Sequence, residues 1–240
     1  MTTAENIDCM EGMRRFPDGH FDLAVCDFPY GIGEDGAKNH SRSKPVSIAG
    51  SKAKGVVASS KWIPKQWDKD VPPIEVFNEV RRVSKNQIFW GANHFISRIP
   101  FDSPCWIIWD KMNGDSDFAD CELAWTSFKT AARKFEFKWN GMLQQDMKNK
   151  ERRIHPTQKP VALYRWLLQN YAKPGQRILD PMLGSGSSRI AAHDMGFDFT
   201  GFELDPDYFR DQEARFAAHI KKPTLFAPAE MYTFEQQKLF

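Results

Sequence analysis

Asp180-Pro181-Met182-Leu183-Gly184-Ser185-Gly186 decides the fold. The apolar run before it, Arg177-Ile178-Leu179, reads as a short buried parallel strand. Ser187 to Met195, after it, reads as a helix with Ile190, Ala191 and Met195 inward. A strand therefore ends in an acid, turns through two glycines and opens a helix. Glycine lets the backbone approach a ligand closely at such a turn. The helix start offers unpaired N–H groups and partial positive charge. Roughly twenty residues on, the strand Phe199-Thr200-Gly201-Phe202 ends in Glu203-Leu204, and an acid at that tip suits a pair of ribose hydroxyls. Arg189 stands where the dinucleotide fingerprint has its third glycine, so the loop by itself is equally a plain strand-to-helix turn.

A second acid-tipped strand lies near the other end of the chain. Phe21 to Cys26 reads as a strand, and it runs into Asp27-Phe28-Pro29-Tyr30-Gly31. Open α/β sheets place ligands at the carboxyl ends of their strands. Pro29 stiffens this loop, and Tyr30 presents a ring beside the acid. Asn6-Ile7-Asp8 reads as a very short strand and Cys9 to Arg15 as a small helix. Pro73 to Ser84 reads as a helix with Ile74, Phe77 and Val80 on one face. Gln87–Gly91, Cys105–Asp110 and Cys121–Thr126 read as strands, with a polar loop from Lys111 to Asp120. His155-Pro156-Thr157-Gln158-Lys159-Pro160 opens a helix carrying Val161, Tyr164, Leu168 and Tyr171 at helical spacing. There Thr157 is the cap and Pro160 fits the first turn. Pro206 to Ile220 reads as a last helix, with Phe209, Phe216 and Ile220 inward. This alternation specifies an α/β sheet with helices on both faces.

A chain of 240 residues makes one domain, with room for insertions. The net charge of +2 hides a local imbalance. Between Asp35 and Asp68 there is no acid, but there are Lys38, Arg42, Lys44, Lys52, Lys54, Lys61 and Lys65. That stretch reads both as a solvated loop and as one that orders on a polyanion. From Lys129 to Arg153 the basic residues, among them Arg133, Lys134 and Lys138, interleave with Trp139, Met142 and Leu143. Such interleaving suits nucleic-acid contact, and it equally suits a surface hairpin packing its own tryptophan. Cys9, Cys26, Cys105 and Cys121 show no CxxC spacing, which points to reduced thiols in a cytoplasmic protein rather than to a metal site or disulfide framework. No signal peptide is evident, and no apolar run approaches the length of a membrane span.

Taken in order, these motifs resemble the S-adenosylmethionine-dependent DNA amino-methyltransferases of the beta class. In that circularly permuted arrangement the catalytic tetrapeptide precedes the cofactor motif. Asp27-Phe28-Pro29-Tyr30 resembles the family's Asp-Pro-Pro-Tyr. His155 to Pro160 resembles the entry to the helix before the cofactor strand, and Asp180 to Ser188 resembles the cofactor loop. Gly201-Phe202-Glu203 resembles the ribose-binding acid, and Asn6-Ile7-Asp8 the strand whose acid faces the cofactor adenine.

The resemblance implies a Rossmann-like class I methyltransferase fold with a mixed, mostly parallel seven-stranded sheet. It implies one domain over 1–220, with DNA-recognition loops inserted near 36–66 and 129–153, and a tail over 221–240. The implied cofactor is S-adenosyl-L-methionine. Its implied contacts are Asp8, His155, Thr157, Lys159, Asp180, Pro181, Leu183, Gly184, Ser185, Gly186, Ser187, Glu203 and Leu204. Lys38, Arg42, Lys44, Lys52, Lys54, Arg133, Lys134 and Lys138 are the expected DNA contacts.

In the implied reaction, Asp27 and the main-chain carbonyl of Phe28 hold the amino group of a flipped base, and Tyr30 stacks on it. No metal is called for. Asp27 at the head of the tetrapeptide implies adenine N6 in double-stranded DNA. Cytosine N4, an RNA substrate and an inactive nucleic-acid-binding relative are the alternatives, the last because Phe28 replaces a proline. Cysteine-dependent C5 chemistry is set aside, because Cys105 begins an apolar strand. A homodimer is the family expectation. Gln236-Gln237-Lys238-Leu239-Phe240 resembles the peptide by which bacterial replication proteins bind the sliding clamp, which makes Gln236, Leu239 and Phe240 the expected anchors.

Overall fold

Along strand β2 (Phe21–Asp27), Leu23 and Val25 point to one face, and Ala24 and Cys26 to the other; all four are buried. A strand covered on both faces belongs at the centre of a layered sheet. The computed structural model places it there, and describes residues 1–36, 65–114, 119–140 and 143–222. Among the described residues eight strands form the main sheet, one more than the sequence resemblance implies. They are β1 (Thr2–Glu5), β2, β3 (Ser84–Trp90), β4 (Trp106–Asp110), β5 (Cys121–Thr126), β6 (Arg133–Glu136), β9 (Arg177–Asp180) and β10 (Asp198–Phe202). The spatial order is β1-β10-β9-β2-β3-β5-β4-β6, parallel except where β5 runs antiparallel to β3 and β4.

The additional edge strand is β6. The stretch after Lys129, read as an inserted loop or hairpin, pairs Ile107 to Asp110 with Arg133 to Glu136 instead. Strands β7 (Trp139–Asn140) and β8 (Leu143–Gln144) form a separate small ribbon. Trp139 is buried, and its indole N–H reaches back to the carbonyl of Gln158 at 2.8 Å.

Helices α1 (Cys9–Arg14) and α2 (Ile74–Val83) cover one face. Met13, Phe77, Val80 and Val83 pack there against Ala24, Cys26 and Phe89. The other face is covered by α3 (Val161–Tyr171), α4 (Ser187–Asp194) and α5 (Pro206–Ile220), with Leu163, Leu167, Ile190 and Phe216 in that layer.

Four local expectations need correction. The first strand is Thr2–Glu5 and not Asn6–Asp8; Asp8 caps α1 by accepting from the N–H groups of Met10 and Glu11. A short acidic side chain before a helix serves that purpose well. Pro160, not Thr157, occupies the N-cap of α3. Ile74 and Ile220 are exposed, and Val76, Tyr208 and Gln212 are buried in their helices instead.

β2 and β9 are neighbours at the middle of the sheet. The chain leaves β2 towards β3 on one side and leaves β9 towards β10 on the other, so the strand order reverses between them. That reversal opens a crevice at the carboxyl ends of the two strands. Asp27 and Asp180 stand at those ends. The segment after Tyr30 departs from the crevice, and its two described ends meet again, because the N–H of Gln66 donates to buried Asp35 at 2.7 Å. Lys38, Arg42, Lys44, Lys52, Lys54 and the Gln236–Phe240 peptide lie outside the described residues.

Candidate active site

A cavity of about 1140 Å³ occupies the crevice. One end is walled by Asp8, Cys9, Pro181, Leu183, Gly184, Ser185, Glu203 and Leu204. Asp27, Phe28, Pro29 and Tyr30 wall the other end together with Lys111, Glu122 and Lys159. The Asp27–Tyr30 tetrapeptide and the glycine turn, far apart in the chain, therefore face one space.

At the glycine turn, Gly184 and Gly186 have φ of +51° and +71°. A side chain at Gly186 would also stand 3.0 Å from Oε1 of Gln212. The turn is clamped by Glu203, whose Oε2 accepts from the N–H of Gly184 at 2.7 Å and whose Oε1 accepts from Asp205 at 2.8 Å. Burial pushes the Glu203 carboxyl above its ordinary value. Asp180, Gly186 and Ser187 shape this wall from behind without lining the cavity. Asp180 is buried, accepting from Ser188 Oγ at 2.5 Å and from the N–H of Met182 at 3.1 Å. Burial lifts its carboxyl to about 7. Ser187 Oγ donates to the carbonyl of Lys159 at 2.7 Å, which ties the glycine turn to the opposite wall.

That tie matters because Lys159, expected beside the cofactor, reaches the Asp27–Tyr30 tetrapeptide. Its side chain is only 4% exposed. Nζ lies 2.5 Å from Asp27 Oδ1, 3.0 Å from Tyr30 Oη and 3.0 Å from Glu122 Oε2, so each of its three donors has one acceptor. Tyr30 Oη is also 3.1 Å from both Asp27 Oδ1 and Glu122 Oε2. Lys111 Nζ closes the far side, 2.5 Å from Glu122 Oε1.

Two cations and two anions alternate in this chain and their charges cancel, which is what makes such burial tolerable. Burial raises the Asp27 carboxyl, with Lys159 pulling against it and Glu122 adding to it. Burial would raise Glu122 as well, but Lys159 and Lys111 bring it down to about 2. Burial pushes the Tyr30 hydroxyl far up, so it stays protonated. Both partners of Asp27 sit on Oδ1. Oδ2 has no hydrogen bond among the described residues, and Asp27 lines the cavity.

Phe28 explains itself by its ring, which is buried against Phe77, Phe89 and Phe95 at centroid distances of 4.5, 5.3 and 5.8 Å. The tetrapeptide is thereby anchored through the core of the α1–α2 face. The Tyr30 ring lies parallel to His94 at 4.9 Å. Asp68, which carries no motif, fixes the loop that follows. Its Oδ1 accepts from the N–H groups of Tyr30 and Gly31 at 2.7 and 2.9 Å, and its Oδ2 from that of Glu34 at 2.7 Å. Nearby, Lys65 Nζ pairs with Asp205 at 2.6 Å and Asp207 at 2.7 Å, so a strap from 65 to 68 spans both ends of the cavity.

His155 is buried between Tyr208, at 4.3 Å, and Trp67, at 5.0 Å, and burial brings its imidazole down to about 3, so it is neutral. Thr157 Oγ1 contacts His155 Nδ1 at 3.2 Å. Arg133, Lys134 and Lys138 are exposed and line no part of the cavity, and Lys134 is already paired with Glu136 and Asp110. Among the described residues no cluster of His, Cys, Asp and Glu suits a metal ion.

Glu122, Lys111 and Asp68 are not among the expected site residues, and Lys65, read with the basic stretch that orders on a polyanion, pairs with Asp205 and Asp207. Glu122 alone carried a signal, as the single charged residue of an otherwise uncharged strand.

Known proteins give this geometry its context. M.HinfI, a type II methyltransferase of Haemophilus influenzae, is 25% identical over 252 aligned positions, which cover 87% of this chain and 66% of that protein. This chain thus spans just under two thirds of that relative's length. The structure of the M1.HpyAVI–SAM complex superposes with a TM-score of 0.53 at 19% identity, covering 90% of this chain and all of the other. The cytosine-N4-specific PvuII DNA methyltransferase gives 0.54 at 11% identity, covering 96% of this chain and 91% of the other. At these identities the structural likeness establishes the class I methyltransferase fold. The sequence model of the N6/N4 DNA methylases matches residues 38–214, from just after the Asp27–Tyr30 tetrapeptide to the middle of α5. The chain belongs to the N6/N4 DNA methylase family.

Proposed function

We propose that the protein transfers a methyl group from S-adenosylmethionine to N6 of adenine in double-stranded DNA. The observation that carries this reading is that Asp27, whose Oδ2 is free of protein partners among the described residues, lines the same cavity as the Gly184–Ser185 turn. The residues present suit the cofactor. Gly184 lets the turn approach the methionine end, Glu203 suits the ribose, and Asp8 with Cys9 suits the adenine. Bound there, S-adenosylmethionine supplies an electrophilic methyl on its sulfonium.

The rest is the work of the protein. The lone pair of an exocyclic amino group is delocalised into the base. Asp27 Oδ2 and the Phe28 carbonyl accept its two N–H bonds and favour a pyramidal nitrogen. As positive charge develops on that nitrogen, the Asp27 carboxylate stabilises it. Holding nitrogen and methyl in line contributes much of the remaining rate enhancement. The flipped base costs roughly a few kcal/mol to extract from the duplex. The basic segment 37–64 and the exposed Arg133 and Lys138 supply phosphate contacts that offset this.

The test is methylation of unmethylated duplex DNA by the purified protein, with nucleosides read by mass spectrometry. We expect N6-methyladenine, and a loss of at least about 100-fold with Asp27→Ala. N4-methylcytosine would move the reaction to the base acted on by the PvuII enzyme. Product from RNA alone would replace the substrate. Undiminished activity in Asp27→Ala would end the assignment of this site.

A further inference from the structure

Glu122 is the residue that touches Lys111, Lys159 and Tyr30 together. It lies on β5, opposite Trp109 in the antiparallel ladder with β4, so its backbone is fixed by the sheet. It makes no hydrogen bond with Asp27 itself. Its charge raises the Asp27 carboxyl directly, and it also acts through the two groups they share. Lys159 Nζ sits between Asp27 Oδ1 and Glu122 Oε2, at 2.5 and 3.0 Å, and Tyr30 Oη is 3.1 Å from each of the same two oxygens.

We propose that Glu122 is a positioning residue for the amino-methyl transfer. It holds Lys159 and the Tyr30 hydroxyl on Asp27 Oδ1 and takes a share of the lysine charge, so that Oδ2 remains an open, electron-rich acceptor for the target amino group. This rests on the methyl-transfer reading above. Without Glu122, the ammonium of Lys159 has Asp27 as its one anionic partner among the described residues. An ammonium facing a single carboxylate can bridge both oxygens, which would take Oδ2 from the base. The carboxylate would also be more fully neutralised, and so would stabilise less of the charge that grows on nitrogen. Lys111 keeps Glu122 ionised and limits how strongly it competes for Lys159. The groups facing Asp27 are thus Lys159, Tyr30 and Glu122, with Asp180 on the neighbouring strand β9, Tyr164 on α3 and Cys26 beside it on β2.

The balance predicts shifts of opposite sign from two isosteric or near-isosteric changes. In full-length protein labelled with carboxyl-¹³C aspartate, the Asp27 resonance, assigned with Asp27→Asn, is titrated by NMR. Glu122→Gln removes an anion and leaves the lysine to Asp27, so the Asp27 midpoint moves to lower pH. Lys111→Gln frees Glu122 to draw Lys159 away, so the midpoint moves to higher pH. A merely structural role for Glu122 gives no such pair of shifts. In single-turnover methylation, Glu122→Gln slows transfer roughly 10- to 100-fold, the scale for losing an outer partner of a site residue. Its acid limb follows the Asp27 midpoint, and cofactor affinity by calorimetry stays within about twofold, because Glu122 lies at the far end of the cavity from the glycine turn. Unmoved midpoints, shifts of the same sign, or an unchanged transfer rate would overturn the proposal. If Glu122→Gln does not fold, the Lys111→Gln shift decides alone. Opposite shifts with no methylated base from the unmodified protein would overturn the reaction assignment and leave the hold on Asp27 intact.

Discussion

Removing the Asp68 carboxylate should cost more in function than in fold. Asp68 is 2% exposed and accepts three main-chain N–H groups of the loop that carries Tyr30. A hydrogen bond to a charged acceptor contributes roughly 1.5–3 kcal/mol, and a stranded buried donor costs about 1–3 kcal/mol. Three full losses would sum higher than the site allows, since water can reach a loop beside an open cavity. We therefore expect Asp68→Ala to lower stability by about 4 kcal/mol. Asp68→Asn keeps one oxygen for Tyr30 and Gly31 but turns an NH₂ towards the N–H of Glu34, so about 2 kcal/mol is expected. Urea unfolding gives both values. Methylation by each variant, measured where it is fully folded, should fall further, because the Tyr30 hydroxyl no longer stays on Asp27. An Ala variant within about 1 kcal/mol of the unmodified protein, or one indistinguishable from the Asn variant, would refute the reasoning.

Two further outcomes can be stated. Gly91 has φ of +73°, and a Cβ there would stand 1.9 Å from Cε1 of Tyr30, so Gly91→Ala should lower stability by about 2–4 kcal/mol and displace the tyrosine; a normal melting temperature with normal activity would contradict this. Asp180 titrates at about 7 in the folded protein against an ordinary 3.8, so the fold keeps a proton that the unfolded chain has already released. Its contribution to stability is therefore intact below about pH 4 and is lost as pH rises through about 7, by about 4 kcal/mol in all. Asp180→Asn cannot ionise, so the stability difference between the two proteins should change by that amount over this window, and a difference independent of pH would exclude it.

The parts of the site that sequence disclosed are those whose chemistry is local. A strand ending in an acid, a turn that demands glycine and a helix opening in serine leave short-range marks, and β9, α4 and β10 follow them closely. Asp205 and Pro206 likewise announce the start of α5. The destination of Lys159 left no such mark. A lysine at a helix entry is ordinarily solvated, and its burial here depends on anions from β2 and β5, far away in the chain. Glu122 was visible as an oddity of its strand, but its direction follows from the register with β4. β6 was hidden because its Arg-Lys-Phe-Glu has the exposed face of an edge strand. Asp68 was hidden because its partners are backbone groups, which carry no residue identity.

The closure between Asp35 and Gln66 bears on where this fold can take up extra chain. The sequence between those residues begins and ends at one spot beside the cavity, pinned by Asp68 on one side and Lys65 on the other. Chain inserted there leaves the sheet unaltered, since both described ends lie outside it. On the reading proposed above, in which residues 37–64 contact DNA, chain added or exchanged there alters what is read and leaves Asp27 and Glu203 in place.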